Sequence, residues 1–216
     1  MERFSRIESV VAPLPEADID TDVIFPARFL LLLDKAGLGK HVFHERRYRE
    51  GRTTDFVLNS PPFDKARILV AGKNFGSGSS REQAVWALAD FGIRCVIAPS
   101  FGEIFYGNCF KNGVLPIVMT GVLHEKVMGI AMAAEPIAID LETQRIALPD
   151  STTLSFEIDP YRRQALLLGL DEIGAILADD AADIDAFEAL QREAFPWVQI
   201  DGATLDTLFD KIVESE

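Results

Sequence analysis

The sequence predicts an α/β domain with a helical C-terminal appendage. Three observations carry that expectation. Short apolar runs alternate with helical periodicity between residues 68 and 119, short alternating apolar segments lie between residues 137 and 158, and helical patterning begins at Asp159-Pro160. Strand and helix in alternation is the grammar of parallel α/β units, whereas successive short alternating segments pair antiparallel.

Ile68-Leu69-Val70-Ala71 is an apolar run of buried-strand length, and Gly72 through Gly78 follow as a Gly-rich loop. From Ser80 to about Asp90 the pattern turns helical, with Ala84, Val85, Leu88 and Phe91 on one face. Cys95-Val96-Ile97-Ala98 is a second strand closed by Pro99, Phe101 to Phe110 a helix, and Val114 to Met119 a third strand. Ile137 to Leu141 and Arg145 to Leu148 bracket the turn Glu142-Thr143-Gln144, and Leu154 to Ile158 follows as a further antiparallel strand. Pro160, suited to a first helical position, opens a helix through Leu170. Gly169 and Gly174 punctuate further helical sequence, and the acidic stretch Asp179 to Glu193 reads as a surface helix. Residues after Pro196 read as a separate short C-terminal appendage. The expected division is residues 1–159 as the main domain and 160–216 as the helical region and tail.

Of the 216 residues, 48% are apolar and 25% charged, the balance of a soluble globular chain. A net charge of -13 argues against non-specific nucleic-acid binding, which needs clustered Lys and Arg. In such a field an anionic substrate must be held by a few placed cations. The start, Met1 to Glu8, has no signal-like apolar core, and the apolar run Phe29 to Leu33 is too short to span a bilayer, so the cytoplasm is the expected compartment. Cys95 and Cys109 lie in apolar surroundings without Cys-x-x-Cys spacing, and two thiols cannot supply the usual ligand set of an iron–sulfur cluster.

The chemistry concentrates at Asn74-Phe75-Gly76-Ser77-Gly78-Ser79-Ser80-Arg81-Glu82, between an apolar strand and a helix. Backbone N–H groups at a helix start favour anions. Gly76 and Gly78 allow a sharp turn and a close approach to a ligand. Ser79 and Glu82 have capping-box spacing. Arg81, in the first turn, opposes the helix dipole unless an anion sits beside it, which points to a carboxylate or phosphate held by its guanidinium. The plainer alternative is a capped helix with an ordinary surface arginine. A dinucleotide fingerprint is excluded by the missing third glycine, and a P-loop by the missing Gly-Lys-Ser/Thr.

The segment resembles the signature of the aconitase swivelling-domain family, in particular the small subunits of 3-isopropylmalate dehydratases (isopropylmalate isomerases). Three further segments agree in order: Asp20-Thr21-Asp22-Val23-Ile24-Phe25-Pro26-Ala27-Arg28-Phe29-Leu30, Asp55-Phe56-Val57-Leu58-Asn59, and Ile97-Ala98-Pro99-Ser100-Phe101-Gly102-Glu103-Ile104-Phe105-Tyr106-Gly107-Asn108. The resemblance runs from about residue 8 to 195. It implies an aconitase-type swivelling β/β/α domain closing over a [4Fe-4S] cluster carried by a separate large subunit, with no cofactor bound by this chain. It implies a hydro-lyase that interconverts 2-isopropylmalate and 3-isopropylmalate, through dehydration and rehydration, in leucine biosynthesis. By the same resemblance Ser79 would be the base, and Arg81 would bind a substrate carboxylate with Ser80 beside it. Arg28 would be a second carboxylate-binding arginine, and Asp22 would organise the site. Phe29, Leu30, Leu31 and Leu32 would sense the substrate's side chain. Ser77, Gln83 and Val85 stand where many members have Cys, His and Pro. A sister dehydratase acting on homoaconitate or a methylmalate-type substrate, and a non-catalytic assembly subunit, are the alternatives.

Other polar residues read more plainly. His41 and His44 carry no third metal ligand and fit an interface segment. Arg46, Arg47 and Arg49, interleaved with Glu45 and Glu50, read as solvated or as part of a subunit contact. Tyr106 and Asn108 fit core packing and turn chemistry as well as a cleft, and His124 sits at a helix start.

Overall fold

The computed structural model describes residues 1–32, 34–78 and 81–198. They fall in two compact units, one Met1–Asp171 and the other beginning at Glu172. In the first, strand β1 (Arg6–Leu14) leads to the one-turn helix α1 (Thr21–Ile24), the short helix α2 (His44–Arg47) and the hairpin β2 (Tyr48–Arg49) and β3 (Arg52–Thr53). The alternating portion is β4 (Ile68–Ala71), α3 (Glu82–Phe91), β5 (Cys95–Ala98), α4 (Glu103–Lys111), β6 (Leu115–Val118) and α5 (Gly121–Met132). Strands β7 (Pro136–Asp140), β8 (Arg145–Ala147) and β9 (Thr153–Ser155) follow, and α6 (Pro160–Leu168) ends the unit.

Among the described residues seven strands make one sheet in the order β6-β5-β4-β1-β7-β8-β9. Strands β4, β5 and β6 are parallel, and β7, β8 and β9 are antiparallel, as the two sequence patterns predict. Strand β1 joins the halves: Val11–Leu14 pairs parallel with β4, and Arg6–Val10 pairs antiparallel with β7. Pro13 lies beyond the stretch paired with β7, where one strand edge has no ladder partner among the described residues and a proline is tolerated.

The sheet is covered on both faces. Leu69 and Ala71 of β4 enter one core with Ala84, Val85 and Leu88 of α3, while Ile68 and Val70 enter the other with Val127 and Ala131 of α5 and Leu166 of α6. Burial on both faces explains why the β4 and β5 runs are apolar throughout instead of alternating. At about 25 cal/mol per Å² of apolar area removed from water, these two cores supply the main driving force for the unit. Helix α6 starts on Asp159, which accepts the Arg162 N–H at 3.0 Å, and ends on Gly169 in the left-handed conformation.

Two expectations are corrected. Helix α3 begins at Glu82 with Arg81 as its N-cap in extended conformation, so Arg81 stands at the helix boundary and not within the first turn. Arg47 is not solvated: it is 9% exposed, stacks its guanidinium 4.7 Å from the Phe91 ring centroid, and donates to Asn59 Oδ1 at 3.0 Å and Gly39 O at 3.2 Å. A guanidinium can be buried this way because a flat apolar face and fixed acceptors replace its water.

In the second unit α7 (Glu172–Asp179) and α8 (Ala181–Ala194) form a helix pair, with Asp180, Asp183 and Asp185 exposed. No helix among the described residues is long and apolar enough to cross a membrane.

Candidate functional site

Three segments far apart in sequence meet where β4 and β5 end. Gly76 N–H donates to Ile19 O at 2.7 Å, Thr21 N–H donates to Ser77 O at 2.9 Å, and Phe75 N–H donates to Ser100 O at 3.0 Å. Gly102 N–H completes the weave on Phe75 O at 2.9 Å. The carboxyl ends of parallel strands are where open α/β sheets present ligand sites, because the connecting loops diverge there. Gly76 has φ +72°, and a Cβ on it would stand 2.2 Å from Cγ of Phe105. That space admits no side chain, so the glycine is required by close approach as well as by backbone conformation.

Helix α1 follows directly. Asp20 caps it by accepting the Val23 N–H at 2.7 Å, which fixes the turn that carries Asp22. The Asp22 carboxylate accepts from Arg81 Nη1 in an ion pair, with the arginine side chain 22% exposed. The structure thus brings together two of the residues expected at the site. Asp22 also supplies the anion that the helix dipole requires beside Arg81. The placement of Arg81 therefore does not by itself demand a ligand; a bound carboxylate would share or take the place of this partner. Ser79 and Ser80, expected as base and substrate ligand, lie outside the described residues, as does Leu33.

Arg28 belongs to a separate cluster. Its guanidinium pairs with Glu45, lies 2.8 Å from His44 Nδ1, and covers the Phe29 ring at 4.7 Å. Phe29 stacks on His41 with centroids 4.0 Å apart and meets His44 at 5.0 Å. Both imidazoles are held below their ordinary pKa. For His41 the causes are desolvation first, then Lys40, His44 and Arg28; for His44 they are desolvation and then Arg28, with Glu45 opposing. The cluster borders an open cleft of about 770 Å³ lined by Arg28, His41, His44, Tyr48 and Arg49 among others; neither Arg81 nor Asp22 lines it. Past Phe29 and the half-buried Leu30, Leu31 is 89% exposed and Leu32 41% exposed. The gathering of His41 and His44 around Phe29 escaped the sequence, since side chains separated by a loop show no periodicity.

The remaining polar candidates have partners within the first unit, and Tyr106 also borders a small cleft with Ser100, Phe101 and Val118. Tyr106 lies under the Arg162 guanidinium and edge-on to Phe110 at 5.1 Å, and Asn108 is 9% exposed within α4. His124 Nε2 lies 2.8 Å from Ala71 O, joining α5 to the end of β4. Val85 is a fully buried core residue. Cys95 and Cys109 are fully buried and unbridged, and burial pushes both thiols well above the ordinary range. Inert thiols of this kind do not fit an iron–sulfur cluster. Among the described residues no group of three His, Cys, Asp or Glu side chains is placed to hold a metal ion.

Comparison with known proteins adds an independent observation. The aconitase C-terminal domain family matches residues 1–121. A 3-isopropylmalate dehydratase small subunit from Dinoroseobacter shibae is 52% identical over 202 residues, covering 92% of this chain and all of that protein. Small subunits of the same name from Afipia carboxidovorans and Agrobacterium fabrum are 51% and 50% identical over 92% and 91% of this chain, each matched over its whole length. The solved structure of a 3-isopropylmalate dehydratase (LeuD) from Methanocaldococcus jannaschii superposes with a TM-score of 0.62 at 26% identity, covering 84% of this chain and 99% of that one.

Proposed function

The chain belongs to the family of 3-isopropylmalate dehydratase small subunits, and from that premise we propose that its loop and the start of α3 supply one half of a hydro-lyase site that a large subunit completes. The reaction is the interconversion of 2-isopropylmalate and 3-isopropylmalate in the leucine pathway of the cytoplasm. Ser79 takes the proton from the carbon beside a carboxylate, the C–H electron pair forms the alkene as the neighbouring C–O bond breaks, and hydroxide leaves; that hydroxide and the proton taken by Ser79 make up the water lost overall. Addition of water in the opposite sense gives the isomer. A serine oxygen becomes a competent base only when its anion is stabilised, and the N–H groups at the start of α3 are suited to that task. Arg81 grips the carboxylate, Ser80 assists it, Asp22 orients the guanidinium, and Arg28 takes the second carboxylate.

The observation that carries this reading is the convergence of Asp22 and Arg81 on the glycine loop, at the positions of the family motif. The exposed apolar Leu31 and Leu32 suit an isopropyl group better than the extra carboxylate of a homoaconitate-type substrate. The [4Fe-4S] cluster, which supplies Lewis-acid chemistry when bound, is assigned to the large subunit, because the buried thiols here do not fit it. The test is reconstitution of the chain with its large subunit. Ser79→Ala should lower kcat by roughly 10²–10⁴-fold while the two chains still co-purify. Full turnover in that variant removes Ser79 from the role of base.

A further inference from the structure

Phe29 packs against the first core, Leu31 and Leu32 stand outside it, and Leu38 is buried within it. Leu30 N–H and Leu32 N–H are tied back to Ala27 O and Phe29 O at 3.1 and 3.0 Å, and Leu38 is 1% exposed. Lys35, exposed on the outward stretch, nonetheless reaches two helices. Its ammonium lies 4.5 Å from the ring centroid of Trp86 on α3, and it donates to Asn112 Oδ1, at the end of α4, at 3.2 Å. Trp86 Nε1 and Asn112 Nδ2 both donate in turn to Glu82 Oε1, at 3.2 and 2.9 Å. Lys35, Trp86, Glu82 and Asn112 therefore close a ring of four side chains. Glu82 is the chain neighbour of Arg81, and Arg81 is paired with Asp22. The apolar segment and the carboxylate grip thus both meet the start of α3, the one through Glu82 and Trp86 and the other through the N-cap Arg81.

We propose that Lys35 is a positioning residue for substrate selectivity, holding Leu31 and Leu32 at a set distance from the Arg81 guanidinium. The proposal rests on the functional reading above and deepens it. Leu31 is four residues from Lys35, a reach of at most about 14 Å. Without the clamp, Leu31 and Leu32 lose a fixed point four and three residues away, and an apolar contact with the substrate's side chain must then meet the cost of ordering them. A ligand too short to touch these leucines is indifferent to where they stand. The clamp thus acts on the isopropyl group and not on the chemistry at the carboxylate end.

The test uses Lys35→Ala and Lys35→Arg in the complex with the large subunit, comparing isopropylmalate with a methyl-bearing malate analogue. In Lys35→Ala, kcat/KM for isopropylmalate relative to the analogue should fall about three- to ten-fold, the size expected for one exposed cation–π contact and its hydrogen bond. The change should appear in KM with kcat retained, and Lys35→Arg, which keeps a cation over the indole, should restore the ratio. On the isolated chain in a Trp197→Phe background, acrylamide quenching of Trp86 should rise in Lys35→Ala and not in Lys35→Arg. An unchanged selectivity ratio, or an equal loss for both substrates, overturns the proposal. Absence of isopropylmalate turnover by the wild-type complex instead overturns the functional reading on which it rests, and the quenching result separates the two failures.

Discussion

Arg81 stands where a helix dipole disfavours a cation, and Asp22 offsets that cost from 59 positions away in the chain. If the guanidinium grips a carboxylate through its planar fork, Arg81→Lys should raise KM roughly ten-fold or more with a smaller change in kcat, because an ammonium is a point charge. Steady-state kinetics on the reconstituted enzyme checks this, and an unchanged KM removes Arg81 from the grip. His41 and His44 give a second expectation. Their folded-state pKa values lie below the ordinary 6.5, so folding favours the neutral rings. The stability they contribute is fully present above the unfolded value and is lost as pH falls through the folded one. Thermal melts should therefore be flat above about pH 7 and decline from about pH 6.5 downward, and replacing both histidines by Asn should flatten that decline. Asp150, held down to about 2 by Lys126 and Thr152, and Asp140, lowered chiefly by the Thr143 N–H, contribute above the usual carboxylate range and lose that contribution only in stronger acid. At this scale the motif around Arg81 was legible because glycine turns and helix starts are local. The ion pair of Arg81 with Asp22 has no such local signal, since no periodicity links the two; only the family resemblance set both at one site.

The loop after β4 is shaped by two glycines that approach each other. A Cβ on Gly102 would stand 2.4 Å from Gly76 O, and one on Gly76 would enter the Phe105 ring. Gly76→Ala combines left-handed strain with overpacking and should cost about 2–4 kcal/mol in urea denaturation, along with most of the turnover. Gly37→Ala, at φ +83° but with nothing within 4 Å, isolates the strain alone and should cost only about 1–2 kcal/mol. Equal losses at the two positions would show that close packing at Gly76 contributes nothing. Strands β4, β5 and β6 were legible as continuous apolar runs bounded by glycine or proline, since a strand buried on both faces has no polar side to show. Strand β1 was not. It pairs parallel along one half and antiparallel along the other, and Pro13 argues against a strand until that pairing is known.

Among the described residues, both cores of the first unit are formed by residues no later than Leu167. A chain ending at Asp171 should fold cooperatively, with a Tm within about 5 °C of the full chain, as read by circular dichroism. A non-cooperative melt would show that the residues from Glu172 onward complete the core. The amino-acid sequence by itself determined the alternation of strand and helix, the antiparallel close of the unit, and the anion-suited chemistry of residues 74–82. Each of these is written in hydrophobic period and turn chemistry over a few neighbouring residues. Tertiary structure alone decided that β1 bridges the two halves of the sheet, that Arg47 is buried on Phe91, that Asp22 meets Arg81, and that Lys35 closes a ring with Glu82. Those outcomes depend on which strand edges and helix faces meet, and that is set by the summed packing of residues tens of positions apart.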